Sequence, residues 1–442
     1  MSVWTFKGGI HPKDCKELSM DAAIVELLPQ GELVFPLSQH IGAPAKALVA
    51  VGDKVQRGQQ LAEAGGFVSA PVHSSVSGIV TAIEPRFSAQ GGKVICIIVE
   101  NDNEYNEVEY EVPEPLETLS KEAILHNISR AGVVGMGGAG FPTHVKLSPK
   151  EPEKIEYVIA NGVECEPYIT ADYRRMLENS KELVGGMSVI LKLFDKAKGI
   201  FAIEDNKPEC IKIMTELVKD EERMEVVSLK TKYPQGGERQ LIYSVTRRAL
   251  NSSLLPADVG CVVDNVETII AIYNAVIKGR PLIERVTTVS GNGIKKPGNF
   301  KVHLGTNQRE LLEAAGGYKK KVEKIIAGGP MMGFSMFTTD VPITKTSSSI
   351  ICMLNDEIAK AQSTACINCG RCVMACPSRL LPKTLARISE RLDEEEFAKC
   401  EGMECMECGV CSYVCPAKLP LKQSIASMRK IVLESRRKKQ ND

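Results

Sequence analysis

The amino-acid sequence predicts a multidomain α/β protein, with a small all-β unit ahead of the α/β part and a helical, cysteine-rich unit behind it. Three observations carry that reading. Residues 36–100 are short β-like runs punctuated by glycine. From 118 to 285 helical and β-like runs alternate, the pattern of a mainly parallel sheet flanked by helices. Nine of the fifteen cysteines crowd between 366 and 415. A length of 442 residues suits several domains of ordinary size.

Composition excludes several roles. Lysine plus arginine balance aspartate plus glutamate at 55 each, so no net field favours nucleic acid or an anionic surface. Aromatic residues are only 5%, too few for a base-stacking platform. No run reaches the roughly 18 apolar residues of a spanning helix; "VICIIV" at 94–99 is strand length. The opening "MSVWTFKGGIHP" lacks the charged and apolar regions of a signal peptide. A soluble, cytoplasmic chain with no membrane span is expected.

Taken in order, residues 1–35 are a lead-in containing "FKGGIHP". Within 36–100, "VAVGDKVQRGQQLAEA" and "VSAPVHSSVSGIVTAIE" are related phrases with Gly-Asp and Ser-Gly turns, suggesting a small β-sandwich. Residues 101–117 are acidic and proline-bounded, a linker. In the α/β part, 155–162, 199–205 and 224–230 read as strands, and 174–194 and 208–220 as helices. Residues 285–306 read as a hairpin pair followed by a helix, opening a small α+β unit over 286–345. Residues 356–425 are helical segments between cysteine clusters, and 426–442 form a basic tail ending "SRRKKQND".

The cysteines repeat one spacing. Cys366, Cys369, Cys372 and Cys376-Pro377 recur as Cys405, Cys408, Cys411 and Cys415-Pro416. Three closely spaced thiolates wrap one face of a cubane, while the cysteine before proline reaches across to the other cluster. Cys366, Cys369, Cys372 and Cys415 would thus hold one [4Fe–4S] cluster, and Cys405, Cys408, Cys411 and Cys376 the second. The alternative is a pair of zinc knuckles, which use paired cysteines, often with histidine, rather than three-plus-one spacing. The connecting segment 378–399 looks helical, which favours a helical ferredoxin. Cys400 falls outside the pattern and reads as a spectator.

The stretch "GMGGAGFPTHVKLSP", 135–149, contains Gly135-x-Gly137-x-x-Gly140. A Rossmann loop follows a strand and opens a helix. Here the preceding text has helical spacing, and Pro142 and Pro149 keep the chain from running straight into a helix. The glycines instead suit a loop whose backbone N–H groups meet a phosphate, with Lys146 as a nearby cation.

Here the sequence resembles known families. "GMGGAGFPTHVKL" is similar to the flavin loop of the complex I flavin subunit, and "ANGVECEPY", "YPQGGERQLIYSV", "VVDNVETI" and "TVSGNGIKKPG" follow in that subunit's order. Segment 36–100 resembles the biotinyl/lipoyl barrel-sandwich hybrid without its modified lysine, having "AGGFVSA" at the tip. "FKGGIHP", "PLSQHIGAPA", "FVSAPVHSSVSG" and "ECEPYITADYR" look like the C subunit of Rnf electron-transport complexes, across essentially the whole chain. The resemblance implies a barrel-sandwich scaffold, an FMN/NADH-binding α/β domain over 118–285, a soluble-ligand-binding β-grasp over 286–345 and a two-cluster ferredoxin domain.

It also implies roles. Gly135, Gly137, Gly138 and Gly140 would contact the flavin phosphate and ring edge through their backbone. Lys146, Asn161, Glu164, Asp264 and Asn265 would hold ribityl and phosphate groups. Phe141, Glu166 and Glu238 would meet the nicotinamide nucleotide. Tyr233 and Gly236 belong to the same site by their motif, although Tyr233 also reads as ordinary core. Val163, Gly237 and Asp264 depart from the family pattern. The implied function is FMN-mediated exchange between NAD(H) and two [4Fe–4S] clusters. The implied setting is a peripheral subunit on the cytoplasmic side of the cell membrane, partnered by integral membrane and iron–sulfur or flavin subunits. The complex couples ferredoxin–NAD electron flow to Na+ or H+ transport. A stand-alone flavin reductase resembling cobalamin reductase, and an iron–sulfur scaffold with a decayed flavin site, are the competing readings.

Overall fold

The structure is a computed structural model that describes residues 4–111 and 113–441. The described residues form four units, one of them built on a parallel sheet. Its strands are Tyr157–Gly162, Lys198–Glu204, Met224–Leu229 and Cys261–Asn265, in the order 224–229, 198–204, 157–162, 261–265, all parallel. "YVIANG" and "KGIFAIE" are almost continuously apolar because both faces are covered. Val158, Ala160, Phe201 and Val262 pack with the helices Ser180–Leu193 and Val266–Ile277. Ile159, Ile200 and Val263 pack on the other face with Leu241 and Ile242 of the helix Glu238–Thr246.

The helix expected over 174–194 is two helices, Ala171–Glu178 and Ser180–Leu193, broken at Asn179. The Asn179 side chain accepts from Arg175 and the residue leaves helical geometry there. The first helix starts earlier than its own text suggests because Glu164, outside it in sequence, accepts from the N–H groups of Asp172 and Tyr173. A remote carboxylate supplies the cap.

The β-grasp sheet is larger than the expected 286–345. Its six strands run in the order Ile24–Leu27, Gly298–His303, Glu284–Ser290, Ser349–Met353, Lys324–Ala327, Phe334–Ser335. The edge strand Ile24–Leu27 comes from the lead-in and pairs parallel with 299–302. The all-β unit has sheets of four and three strands over a core of Leu33, Phe35, Leu61, Val76, Val80, Ile97 and Val99. Phe67, at the tip where a carrier would bear its lysine, is 80% exposed. The 101–117 stretch is not a free linker. Its Asn106 and Val108 exchange backbone bonds with Arg57, and Glu111 pairs with Arg130.

The cysteine-rich unit contains helices and no strand among the described residues. It does not end at 425: the last helix runs Leu421–Asn441, so 426–441 is helix rather than tail. Ile425, Met428 and Val432 on it pack with Leu385, Ile388 and Phe397. The half-buried Cys400 packs against this core. Asp442 lies outside the described residues. No described helix is long and apolar enough to cross a membrane.

Gly186 tests the central packing. A Cβ there would run into the Ile269 carbonyl on the neighbouring helix Val266–Ile277. Gly186→Val is expected to lower stability by about 1–3 kcal/mol, the usual cost of overpacking, read as a lower midpoint in urea unfolding with little change in slope.

Candidate functional site

The glycine loop sits where a helix, not a strand, delivers the chain. Ser120 caps the helix Lys121–Arg130, and Val134 then bridges Pro142 across the loop's neck. Gly135 N–H donates to the Phe141 carbonyl at 2.9 Å and Met136 N–H to Thr268 Oγ1 at 2.9 Å, so the neck is pinned. Contrary to the expectation for Pro142, the chain does enter a helical turn at once, Thr143–Lys146. Pro142 precedes the turn and its carbonyl accepts from Val145 and Lys146. The turn stops before Pro149.

Gly137, Gly138 and Ala139 are exposed, and among the described residues nothing accepts their N–H groups. A Cβ on Gly138 would meet open space, whereas one on Gly137 would strike Asn265 at 2.7 Å. Gly140 has a packing reason of its own. It is buried at φ +73°, with a Cβ position 2.9 Å from the Gln39 carbonyl and 3.0 Å from Thr346. It is glycine because two other units close on it. Lys146 reaches the Val263 carbonyl at 2.7 Å and Asp264 Oδ1 at 3.1 Å. Burial disfavours its charge, but Asp264 and Glu238 outweigh that and hold its pKa above the ordinary lysine value. Burial pushes the Asp264 carboxyl up while Lys146 pulls it down, and its Oδ2 has no partner. Orphaned N–H groups beside a cation and an unfilled acceptor are a donor set that fits the phosphate and polyol of a flavin nucleotide.

Other carried-over residues are occupied within the protein. Asn161 donates to the Gly236 carbonyl and accepts from Val163 N–H. Asn265 caps its own helix through Glu267 N–H and donates to Asp172 at 2.6 Å. Glu164 is no solvated loop charge: it is buried beside Lys16 as well as capping a helix. Glu166 takes the N–H groups of Met331 and Met332 at 3.1 and 2.9 Å. Burial raises its pKa to about 7 against those two bonds. Glu238, in the first turn of its helix, is exposed. Tyr233 is buried, and its hydroxyl donates to the Cys408 carbonyl at 2.8 Å.

The cysteines separate into two cavities by the crossed rule. Cys366, Cys369, Cys372 and Cys415 line one; Cys376, Cys405, Cys408 and Cys411 line the other. The two loops repeat in backbone detail. Asn368 and Gly370, like Glu407 and Gly409, adopt positive φ. Asn368 N–H points to Cys366 Sγ and Glu407 N–H to Cys405 Sγ, each at 3.4 Å. Amides aimed at sulfur favour thiolate. Burial, with the neighbouring cysteines, pushes the Cys408 and Cys411 thiols up to about 12, so an adjacent multivalent cation is what would ionise them. Four-thiol sets without histidine fit two iron–sulfur cubanes. The first cavity is the more open: Cys369 is exposed, as are Ile367 and Leu381 on its rim.

Sequence reasoning missed Lys16, Thr268, Asp172 and the Gly329–Met332 turn, because nothing local marks a residue whose partner is distant along the chain.

Comparison with known proteins agrees with this division. Residues 4–104 match the RnfC barrel sandwich hybrid domain, 128–274 the Nuo51 FMN-binding domain, 286–335 the SLBB domain and 365–419 a 4Fe-4S dicluster domain. The chain is 44% identical to the C subunit of the proton-translocating ferredoxin:NAD(+) oxidoreductase complex of Clostridium ljungdahlii, over 88% of this chain and 85% of that one. It is 41% identical to the C subunit of the Na(+)-translocating complex of Acetobacterium woodii, over 88% of each. At 40% identity it spans half of the longer C subunit of an ion-translocating oxidoreductase complex from Vibrio cholerae, with 87% of this chain covered. Among solved structures, an NAD+-reducing [NiFe]-hydrogenase shares the fold at TM-score 0.50 and 17% identity, covering 72% of this chain and 61% of that one.

Two substitutions test the site. Gly138→Val faces open space, so the protein is expected to fold with full iron but to lose its flavin; flavin retained at the wild-type ratio would remove the loop from the site. Cys369→Ser is expected to damage one cluster while the other keeps its electron paramagnetic resonance signal. A chain carrying zinc and no acid-labile sulfide would overturn the iron–sulfur assignment.

Proposed function

The chain belongs to the family of C subunits of Rnf ion-translocating ferredoxin:NAD(+) oxidoreductase complexes, and from that premise we propose how its residues carry electrons between NAD(H) and the rest of the complex. The observation that supports the reading best is a glycine loop with free N–H groups in the same α/β unit whose Tyr233 bonds one of two all-thiol cavities.

Bound FMN would exchange two electrons with NAD(H) as a hydride and pass them on singly, and each [4Fe–4S] cluster would carry one. The balance closes: NADH yields NAD+, a proton and two electrons, one for each cluster. The protein's own contribution is placement. Gly137, Gly138 and Ala139 offer N–H groups to the flavin phosphate, Lys146 adds its charge, and Asp264 offers its unpartnered oxygen to a hydroxyl. Phe141 and the exposed Glu238 flank the loop for the nicotinamide nucleotide. Asn161, Glu164, Asn265 and Glu166 shape the site from behind, through the bonds described above. The cavity of Cys376, Cys405, Cys408 and Cys411, beside Tyr233, is the inner cluster site. The cavity of Cys366, Cys369, Cys372 and Cys415 is the outer one, where electrons leave or enter through its exposed rim.

The barrel-sandwich match at the N-terminal end of the chain favours an Rnf subunit over a stand-alone cobalamin reductase, and the loop's free N–H groups favour a working flavin site over a decayed one. With no described helix able to span a membrane, attachment is through partner subunits, on the cytoplasmic side where NAD(H) is available. The basic residues 436–439 lie on the C-terminal helix; four cations are worth about 1 kcal/mol each at an anionic surface, too little for a firm anchor.

The isolated protein, prepared without oxygen, is expected to hold FMN and about eight irons per chain, and to oxidise NADH with ferricyanide. It should not pellet with protein-free liposomes at physiological salt, yet should pellet with membranes containing its partner subunits. A flavin-loaded sample without NADH oxidation would refute the nucleotide site, and salt-resistant binding to bare liposomes would refute docking by partners.

A further inference from the structure

The lead-in contains a segment that touches both the flavin unit and the inner cluster site. Trp4 bridges Leu229 at the edge of the parallel sheet, and its carbonyl accepts from Lys230 N–H at 3.0 Å. Thr5 Oγ1 donates to Gln235 at 3.1 Å, and the Phe6 carbonyl accepts from Lys232 Nζ at 2.9 Å. Ile10 and Tyr233 then exchange both backbone hydrogen bonds, each at 2.9 Å. Between these anchors the strap turns to the cysteine-rich unit. Gly9 N–H donates to the Ala375 carbonyl at 2.7 Å, and the Gly8 Cβ position lies 2.8 Å from the Cys376 carbonyl. Both glycines have positive φ, +87° and +76°, and a Cβ on Gly9 would come within 2.6 Å of the Tyr233 carbonyl. Only glycine lets the strap pass between Tyr233 and Cys376 at this closeness.

Tyr233 completes the arrangement from the other side through its hydroxyl bond to the Cys408 carbonyl. Of the inner cavity's cysteines, Cys408 is therefore held through its own carbonyl by Tyr233, and Cys376 through its neighbour Ala375 and close packing with Gly8 of the strap. Ile10, Tyr233, Cys408 and Val410 are buried together there, with Cys165, Met331 and Met406 packed around them.

We propose that residues 4–10 and Tyr233 form a positioning clamp that fixes the inner cluster site against the flavin-binding unit, with Tyr233 also setting the potential of the cluster through Cys408. This rests on the reading of that cavity as a cluster site. Tunnelling between redox centres falls off exponentially with separation, so a junction free to hinge would lose rate even with every cofactor in place. The hydroxyl dipole withdraws electron density from the Cys408 carbonyl; without it the surroundings of the cluster are more negative and its reduction is harder.

The test uses the whole protein loaded with flavin and iron, carrying Gly8→Val or Tyr233→Phe. Flavin, iron and acid-labile sulfide are counted per chain. Flavin bleaching and cluster reduction are followed separately after rapid mixing with NADH, and each cluster's midpoint potential is measured by titration with paramagnetic resonance. For Gly8→Val the expected result is flavin bleaching at the wild-type rate with cluster reduction slowed at least tenfold, although dithionite reduces both clusters fully. For Tyr233→Phe the inner cluster's potential should move negative and the outer's should not; a tenfold change in electron sharing between them would be about 59 mV for one electron. Loaded variants with wild-type cluster reduction and an unchanged inner potential would overturn the clamp. If Gly8→Val assembles poorly, the potential in Tyr233→Phe decides. A wild-type protein without clusters, or without NADH-driven bleaching, would instead overturn the functional reading beneath it.

Discussion

The segment from Val163 to Thr170, where the chain leaves the parallel sheet, is the constraint on which the other units depend. Almost every residue in it binds a different part of the molecule. The Val163 carbonyl takes Lys207 Nζ, and Glu164 pairs with Lys16 while capping the helix Ala171–Glu178. Cys165 Sγ accepts from Gly236 N–H, Glu166 holds the turn of the β-grasp, Tyr168 N–H bonds Asp14, and Thr170 N–H bonds Thr288. Lys16 and Lys207 are buried with Glu164 and Glu204. Removing one partner from such a pair costs about 3–5 kcal/mol, because the other charge is left without compensation. The position is apt: the carboxyl ends of parallel strands are where α/β sheets open toward a ligand.

The sequence was most legible where the chemistry is local. Cysteine spacing predicted the crossed membership of the two cavities, because the three close thiols of each loop and the cysteine before proline have few geometrical choices. The alternation of runs over 118–285 gave the parallel sheet, since strands covered on both faces are near-continuously apolar. At the glycine loop the helix on the upstream flank was legible, whereas the helical turn Thr143–Lys146 directly after Pro142 was not.

What was not legible depends on partners distant in sequence. Residue type shows that Asn161, Asn265 and Glu164 are polar, but not that their hydrogen bonds are spent on Gly236, Asp172 and a helix terminus. The motif marks Gly140 as a loop glycine, but not that Gln39 and Thr346 fill the space a side chain would need there. Ile24–Leu27 has no periodic signal strong enough to predict a parallel partner at 299–302. At Asn179 the backbone leaves helical geometry, φ −127° and ψ 32°, inside a text that otherwise reads as continuous helix.

The two cysteine loops show where local identity stops determining behaviour. They share spacing, positive-φ positions and the amide aimed at the first sulfur, so as isolated loops they would hold nearly equivalent clusters. Their surroundings differ. Gly409 lies 3.1 Å, at its Cβ position, from the Met331 carbonyl, while Gly370 has nothing within 4 Å. Cys408 and Cys411 are buried, and Cys369 is exposed. Burial and solvent access are levers on cluster potential, so the domain junction, not the ligand motif, is what would set the two clusters apart on the function proposed above. A duplicated motif becomes asymmetric through the contacts that the lead-in, the β-grasp turn and Tyr233 place around one of the two cavities.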